Sequence, residues 1–350
     1  MSRLLHVMLP QWPDARARML WDALALRLNV DWVMHLHTAP HVHIHDGHRG
    51  LTIPVAPVDA IQLQQLHHGS ARYEFLACKS LVLQQETERF HLSADIITPL
   101  QRMAALMLED NVYSRAADGT ISGASYAALG ISTDMLRIDF IGELAALIAR
   151  LFQRPLPQAW EGLAPGAPYA LITTFDCDGF VPGQPEALRR FLDEHEVARP
   201  TLFVMAPDDA DLTLHDPRYD PADSALRPLY EISETGLHSS YSAYHDGARM
   251  TAQKARLEEV IGRAVQGHRS HCLRFGFPYT WGYVAQAGFA YDMTIGFNDL
   301  PGNRQGGSHP IPLADPSGRG RLLWSWGVGL MDQHLFAPGF TTRSEVTEVS

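Results

Sequence analysis

The second half of the chain alternates short apolar runs with amphipathic segments, and this alternation limits the possible folds more than any other feature. Residues 169–175 (YALITTF) are almost continuously apolar and β-branched, which predicts a strand buried on both faces. Further strands are predicted at 201–206 and 272–277, and helices at 185–195, 250–265 and 280–288. Strands that alternate with helices indicate a parallel β/α architecture, in which polar residues at the carboxyl ends of strands are favoured sites for chemistry.

The first part of the chain has a less regular pattern. A helix is predicted at 139–154, where apolar residues recur at a spacing of three and four and therefore share one buried face. Helices are also predicted at 14–28 and 94–109, and alternating runs at 41–45 and 52–58 indicate short strands. We therefore expect a mixed α/β structure here.

A proline-rich stretch at 155–168 lies between the two patterns and has little periodicity. A chain of 350 residues is long enough for two separate cores, so we place a domain boundary near residue 160. The predicted organisation is a smaller N-terminal α/β domain of unknown role at 1–160, followed by a β/α domain at 161–350.

The overall charge and the cysteines exclude several classes of protein. The formal net charge is −11, whereas nucleic acids and anionic membranes attract basic surfaces, so we expect neither as the main partner. Cys78, Cys177 and Cys272 are scattered without a CxxC spacing, which favours reduced thiols. The first apolar run is interrupted at His6 and stopped at Pro10, too short for a signal peptide, and no window resembles a membrane span. The expected location is the cytoplasm.

Two carboxylates follow directly after the predicted strand at 169–175. Asp176 and Asp178 are two residues apart, and alternation along a strand would place both on one side of its carboxyl end. Paired carboxylates repel each other unless a cation or hydrogen bonds compensate, so one is suited to bind a metal while the other serves as a base. A solvated turn that includes Gly179 is the alternative interpretation.

Two further motifs contain candidate metal ligands. His238 follows a short predicted strand and precedes a polar loop, where a neutral imidazole is suited to bind zinc or a similar ion; a purely structural histidine is the alternative. Arg269 and His271 lie two residues apart ahead of the predicted strand at 272–277. Arg269 would hold a carboxylate in a fixed orientation and His271 would bind the metal, whereas the simpler interpretation is a charged strand entrance.

The order of these motifs resembles that of the polysaccharide deacetylases, the NodB-homology or carbohydrate esterase family 4. The matching segments are a strand that ends in TFDCD, then EISETGLHSSY, then RSH ahead of an aromatic segment. Residues 280–313 also resemble a pattern of one branch of this family, AGF.YD.T.GF.D.PG.R.G...P, and that branch has an extra N-terminal domain of unknown function. The resemblance covers 169–337 well and extends more loosely over 90–154.

This resemblance implies a distorted (β/α) barrel that holds one divalent metal ion, with zinc expected and cobalt, nickel or manganese as alternatives. Carried across residue by residue, Asp176 matches the catalytic base, Asp178 the metal-binding aspartate and His238 the first metal-binding histidine. Arg269 matches the arginine that orients the base.

The chain departs from the family pattern at two positions. The second metal-binding histidine of the broad family falls on Ser242 here, so the third ligand must come from elsewhere. We prefer His271, with His245 as the alternative. The Leu-x-His element that supplies a general acid in the family has no clear copy, and we expect His334, or else Asp332, to stand in.

A histidine-rich segment is a separate candidate. Six histidines fall between residues 35 and 48, and the three in HVHIH (41–45) would line one face of a strand. Such imidazoles can bind a metal, but Asp46 is the only acidic residue within the run. A solvated or partner-facing strand is therefore the preferred interpretation.

Together these observations predict a metal-dependent hydrolase that removes N-acetyl groups from a sugar or polysaccharide precursor. A cytoplasmic saccharide intermediate is the expected substrate. Arg304, which matches a loop arginine of the family, is expected to contact it, as are Tyr241 and Trp281. The alternatives are a hydrolase of a non-sugar amide and a non-catalytic glycan-binding protein on the same fold.

Overall fold

The computed structural model describes residues 4–14, 16–55, 83–92, 95–104, 122, 139–155, 170–207, 212, 219–276, 279–314 and 321–336. These residues form two β-sheets with helices packed against them. Parts of the segments predicted at 52–58 and 94–109 lie outside the described residues, as does most of the stretch at 155–168. The domain boundary near residue 160 therefore stays a prediction.

The first sheet has six strands in the order β2-β1-β3-β4-β6-β5. Its strands are β1 (Leu4–Leu9), β2 (Asp31–Leu36), β3 (His41–His45), β4 (Gly50–Pro54), β5 (Leu83–Glu86) and β6 (Arg89–Leu92). The accompanying helices are α1 (Arg18–Leu28), α2 (Ile97–Ala104) and α3 (Phe140–Leu151). Side chains alternate along each strand, so one face contributes fully buried residues such as Leu5, Val7 and Ile44 to the core.

The second sheet has seven strands in the order β12-β13-β11-β10-β9-β8-β7. Its strands are β7 (Thr174–Cys177), β8 (Thr201–Val204), β9 (Glu234–Ser239), β10 (Gly267–Ser270), β11 (Tyr291–Asp292), β12 (Ile311–Ala314) and β13 (Arg321–Ser325). Neighbours from β7 through β11 to β13 run parallel, and β12 runs antiparallel to β13. Among the described residues β7 and β12 are open edges, so this sheet is not seen as a closed barrel.

Helices connect the parallel strands, as the alternating sequence pattern predicts. They are α4 (Gln184–Glu194), α5 (Arg227–Ile232), α6 (Gly247–Ile261) and α7 (Tyr279–Gln286), and α8 (Asp332–Phe336) follows the last strand. Parallel strands joined by helices bring their carboxyl ends to one edge of the sheet, which is where the polar motifs lie. In the described ranges, no helix combines the length and the apolar character that crossing a bilayer requires.

The strand predicted at 169–175 is wrong in its position. The observed strand β7 begins at Thr174 and contains Asp176, while Leu171 has no regular structure and is 85% exposed. The physical reason is that β7 is the edge of the sheet in the described residues and has only β8 as a hydrogen-bonded neighbour. An apolar, β-branched run predicts extended backbone but does not determine where pairing with a neighbour begins.

The strand predicted at 272–277 is also wrong. Strand β10 ends at Ser270, and residues 271–273 form a single helical turn in which Cys272 and Leu273 have φ angles of 56° and 52°. Two consecutive non-glycine residues in the left-handed region cannot continue a strand. Arg269 therefore lies within the strand, and His271 lies directly after its end.

The two sheets meet through Asp139 at the start of α3. One Asp139 carboxylate oxygen accepts a hydrogen bond from the Gly142 N–H at 2.8 Å and so caps the helix. The other oxygen accepts bonds from Arg27 of α1 and from the Ser308 hydroxyl in the C-terminal half, each at 2.6 Å. Helix α1 also packs against β12. One carboxylate thus links both halves of the described structure.

Replacing Asp139 should measurably destabilise the protein. The substitution Asp139→Ala removes the cap and leaves the largely buried Arg27 guanidinium without this partner, for an expected loss of about 2–3 kcal/mol. Asp139→Asn keeps an oxygen for the cap and should lose about half as much. Urea denaturation curves measure both variants. A midpoint for Asp139→Ala that equals that of the wild type would contradict this role.

Candidate metal centre

Strands β7, β9 and β10 of the second sheet bring the residues predicted to form the metal site to one place. Asp176 lies in β7, with Asp178 two residues further on, while His238 lies near the end of β9. His238 and Arg269 are register partners on the adjacent strands β9 and β10, so their side chains share one face of the sheet. His271 follows β10 directly, and the left-handed turn after it ends the strand at this point.

The side chains of Asp178, His238 and His271 converge on one point. The carboxylate oxygen Oδ1 of Asp178 lies 3.0 Å from His238 Nε2 and 3.3 Å from His271 Nδ1, and the two nitrogens are 3.1 Å apart. An ion with tetrahedral bonds of about 2.1 Å separates its ligand atoms by about 3.4 Å. One carboxylate oxygen and two imidazole nitrogens at these separations are therefore a donor set that could hold a divalent ion.

The orientation of His238 is determined by the neighbouring strand. Its Nδ1–H donates a hydrogen bond to the backbone carbonyl of Arg269 at 3.0 Å, and the ring is almost completely buried. A carbonyl can only accept, so Nδ1 carries a proton, and Nε2 points towards Asp178 and is the nitrogen that could bind an ion. A second hydrogen bond of this kind is the usual support of a metal-binding histidine. The chemistry of the donor set thus fits a metal ion.

Beside this group, Asp176 is held by Arg269. The guanidinium donates from Nη1 to Asp176 Oδ1 at 2.6 Å, and the other oxygen of Asp176 lies 4.0 Å from His238 Nε2. The Asp176 side chain remains 29% exposed, so solvent and small molecules can reach it. The free oxygen therefore borders the point where the three candidate ligands converge.

Arg269 itself is fixed on all sides. Nη2 donates to the Thr174 hydroxyl at 3.0 Å and Nε donates to the Met293 carbonyl at 3.1 Å. Its guanidinium carbon lies 4.3 Å from the centroid of the Phe203 ring, a cation–π contact. Phe203 in turn needs a glycine opposite it, because a Cβ at Gly236 would lie 2.6 Å from the ring. The arginine can therefore hold Asp176 in only one orientation.

The charges of the candidate ligands are strongly coupled. Burial acts to raise the pKa of the Asp178 carboxyl, but hydrogen bonds from His238 and His271 outweigh it and hold this pKa well below its usual range. Burial acts to lower the pKa of His271, but the hydrogen bond with Asp178 and the neighbouring Cys272 raise it to about 10. Without an ion, Asp178 and His271 therefore form an ion pair. A cation would take the place of the imidazole proton.

Cys177 does not belong to this group, although it lies between the two aspartates. Its side chain is 3% exposed, and burial, together with the charges of Asp176 and Asp178, raises the pKa of its thiol well above the usual range. A thiol that stays protonated is a poor nucleophile and a poor metal ligand.

The structure separates the two candidates for the third ligand. His271 joins the converging group, whereas His245 is exposed and packs against the neighbouring ring of Tyr244 at a centroid distance of 4.7 Å. Ser242, which stands where the family has a histidine, accepts a hydrogen bond from Arg249 at 2.5 Å.

The residues predicted to contact substrate have different environments. Tyr241 borders the group, with its ring centroid 6.4 Å from that of His271. Trp281 is 4% exposed and donates its indole N–H to Asp292 at 3.1 Å, so it is part of the core. Arg304 is 2% exposed and donates to the Gly296 carbonyl at 3.0 Å. The substrate roles of all three stay predictions. Tyr241 is the least buried of them and is therefore the best placed to contact a substrate.

The predicted general acid, His334, is engaged by the backbone at both ring nitrogens. Nδ1 accepts a hydrogen bond from the Met331 N–H at 3.1 Å, and Nε2 donates to the Phe297 carbonyl at 2.8 Å. The ring is 3% exposed. Proton transfer from Nε2 would first require the bond to Phe297 to break, so the role of His334 as an acid stays a prediction. Asp332, the alternative, begins α8.

Two contributors to the site are absent from the sequence predictions. Thr174 lies two residues before Asp176 and shares its face, so strand alternation alone would have indicated it. Arg274 stacks on the rings of Tyr241 and Tyr244, at 3.8 and 4.3 Å, and donates to the Tyr241 carbonyl at 2.8 Å. Its contacts cross a loop that has no periodic pattern, and no sequence signal would have identified them.

The histidine-rich segment forms a row of imidazoles on the first sheet. His6 lies between His35 and His45 with ring centroids 5.3 and 5.0 Å away, and His43 accepts or donates a hydrogen bond with Thr52 at 3.0 Å. In the part of the chain that the structure describes, no three ligand atoms of this row lie within 4.8 Å of one another. The preferred interpretation of this segment stays a prediction.

Comparisons with known proteins add little to this geometry. No model of a known protein family matches the chain, and no curated protein matches it. Among solved structures, it is similar to the crystal structure of a "putative polysaccharide deacetylase from Mycobacterium smegmatis", with 22% identity and a TM-score of 0.35 over 53% of this chain and 74% of that one.

The converging group should bind a divalent ion, and His238→Ala should weaken zinc binding by at least about 100-fold. Changes to residues that only support a ligand already cost about 10–100-fold in affinity, and His238 is placed as a ligand itself. His245→Ala, a change to an exposed histidine of the following loop, is the matched control and should bind as the wild type does. Competition with a coloured chelator measures both. Zinc loss in His245→Ala with normal binding in His271→Ala would show that the third ligand is misassigned.

Proposed function

We propose that this protein is a metal-dependent hydrolase that removes N-acetyl groups from a saccharide. The observation that carries the proposal is the position of Asp176, which is held by Arg269 next to the converging Asp178, His238 and His271. A supported carboxylate beside an imidazole–carboxylate metal site is an arrangement suited to hydrolysis of an unreactive amide. The sequence order of these residues, which resembles that of the polysaccharide deacetylases, supports the choice of an N-acetylated sugar.

In this proposal Asp178, His238 and His271 hold the ion. When bound, it would supply Lewis-acid chemistry by polarising the amide carbonyl and by lowering the pKa of a water molecule. We expect zinc, because two imidazoles and one carboxylate form a common zinc donor set, with cobalt, nickel or manganese as alternatives.

Asp176 would act as the general base. Its Oδ2 is not used by Arg269 and faces the ligand group, so it is placed to take a proton from the attacking water. Arg269 keeps the carboxylate aimed at this point, because the guanidinium is itself fixed by Thr174 and Met293. The attack gives a tetrahedral intermediate, and its collapse releases acetate and a free amine once the amine nitrogen has received a proton.

The source of the proton for the leaving amine distinguishes two candidate functions, a hydrolase and a non-catalytic glycan-binding protein. In the hydrolase, the proton comes back from Asp176 or is delivered by His334 after its bond to Phe297 breaks. If Asp176 does not return the proton, the two backbone bonds of His334 favour a second candidate, a non-catalytic glycan-binding protein on the same fold. Release of acetate distinguishes them.

We also propose the larger architecture that the resemblance implies. Residues 161–350 would form a distorted barrel of the deacetylase type, and the elements before residue 160 would form a smaller domain packed on it. What supports this division is that each half has its own sheet, and that Asp139 and α1 connect the two halves.

Asp176→Asn should separate catalysis from metal binding. The variant keeps the shape of the side chain but removes the base, so kcat should fall by about 10²–10⁴-fold. Zinc content should remain equal to that of the wild type, because Asp176 is not placed as a ligand. Acetate released from N-acetylglucosamine and its oligomers, together with elemental analysis, measures both quantities.

The matched control is Asp193→Asn, an exposed aspartate of α4, which should leave acetate release unchanged. Full activity in Asp176→Asn would show that the base is misassigned. A wild-type protein that binds zinc but releases no acetate from any sugar in the panel would favour the glycan-binding candidate.

A further inference from the structure

A buried hydrogen-bonded chain crosses three strands directly behind the candidate metal centre. His268 of β10 contacts Asp292 of β11 through Nδ1 at 2.8 Å and Ser239 of β9 through Nε2 at 2.9 Å. All three residues are 0% exposed. Two of these strands, β9 and β10, also carry His238 and Arg269 of the candidate centre, whose side chains lie on the other face of the sheet.

The directions of these hydrogen bonds follow from chemistry. The Asp292 carboxylate can only accept, and it receives bonds from His268 Nδ1, from the Trp281 indole N–H at 3.1 Å and from the Thr294 hydroxyl at 2.6 Å. With its proton on Nδ1, His268 accepts a hydrogen bond from the Ser239 hydroxyl at Nε2. Each side chain of this buried network therefore has a hydrogen-bond partner on a neighbouring strand, which restricts its movement.

The order Ser239, His268, Asp292 is the order of hydrogen bonds in a serine hydrolase, but it cannot serve that chemistry here. A nucleophile must be reached by its substrate, and the Ser239 hydroxyl is sealed from solvent. The role of these three hydrogen-bonded side chains must therefore be to support the surrounding protein rather than to act on a bound molecule.

Its position connects it to the centre through the backbone. Ser239 directly follows His238, and His268 directly precedes Arg269. Side chains alternate along strands, so the buried chain holds one face of β9 and β10 while His238 and Arg269 occupy the other. The bond from His238 Nδ1–H to the Arg269 carbonyl spans the same two strands, and its 3.0 Å length depends on how the strands are held against each other.

We propose that His268 is a positioning residue for the metal centre, which it controls by joining Ser239 and Asp292 across β9, β10 and β11. The inference rests on the proposed metal site and goes beyond it, because it assigns a function to residues that contact neither ion nor substrate. With the link to Ser239 cut, β9 and β10 are held less firmly against each other, and the Arg269 carbonyl aims His238 Nε2 less precisely. The centre then binds its ion more weakly and in an altered geometry.

The experiment measures zinc affinity by chelator competition and coordination geometry by the visible absorption of the Co²⁺-loaded protein. His268→Asn keeps an N–H near Asp292 but is too short to reach Ser239, so zinc affinity should fall by about 10–100-fold and the Co²⁺ bands should change in position or intensity. Ser239→Ala removes only one hydroxyl and cuts the same link. It should lower zinc affinity and change the Co²⁺ bands as His268→Asn does. If His268→Asn does not fold, Ser239→Ala decides the test.

The matched control is Ser233→Ala. Ser233 immediately precedes β9, at the end of the strand away from the centre, and its buried hydroxyl donates one bond to the Leu229 carbonyl at 2.7 Å. This variant should lose stability without a change in zinc affinity or in the Co²⁺ spectrum.

The outcomes separate this proposal from the proposed function. If the wild type binds zinc, and Ser239→Ala and His268→Asn bind it with wild-type affinity and the same Co²⁺ spectrum, the positioning role is overturned and the metal site stands. The positioning role is also overturned if these two variants change only the thermal stability of the protein. If the folded wild type binds neither zinc nor Co²⁺, the metal site is overturned and the positioning role with it.

Discussion

The candidate site depends most on Arg269, which supports it through two contacts. One is made by its backbone carbonyl and the other by its side chain. Its carbonyl accepts the Nδ1–H of His238 and so aims the other nitrogen at Asp178. Its guanidinium holds Asp176 at 2.6 Å beside the same point. A shift of β10 would therefore move the orientation of a candidate ligand and that of the candidate base together. Metal binding and catalysis share one strand as their support.

Keeping this guanidinium at 4% exposure is energetically unfavourable unless its donors are satisfied. Asp176 supplies the opposite charge, and Thr174 and the Met293 carbonyl accept the remaining hydrogen bonds that the structure shows. The Phe203 ring covers one face of the group, and it can do so because residue 236 lacks a side chain. Removing any one of these partners would leave a buried charge less well compensated, so the arrangement depends on all of them.

Sequence patterns predicted the parts of the fold that depend on periodicity, and they predicted the residues at strand ends. They failed at 169–175 and 272–277, since an apolar run does not determine where a strand finds its neighbour or where the backbone turns. The left-handed turn at Cys272 and Leu273 decides the placement of His271, and no local rule assigns that conformation to these residue types. The link from His268 to Ser239 and Asp292 was out of reach for the same reason, because it depends on which strands become neighbours.

The most direct test of the account is a crystal structure of the zinc-loaded protein with anomalous scattering recorded at the zinc absorption edge. The account predicts one strong anomalous peak about 2.0–2.2 Å from a carboxylate oxygen of Asp178, from His238 Nε2 and from His271 Nδ1. It also predicts that Asp176 lies beside the ion without binding it. A fully loaded crystal with its peak elsewhere, for example on the histidine row at His6 and His35, would contradict the central claim.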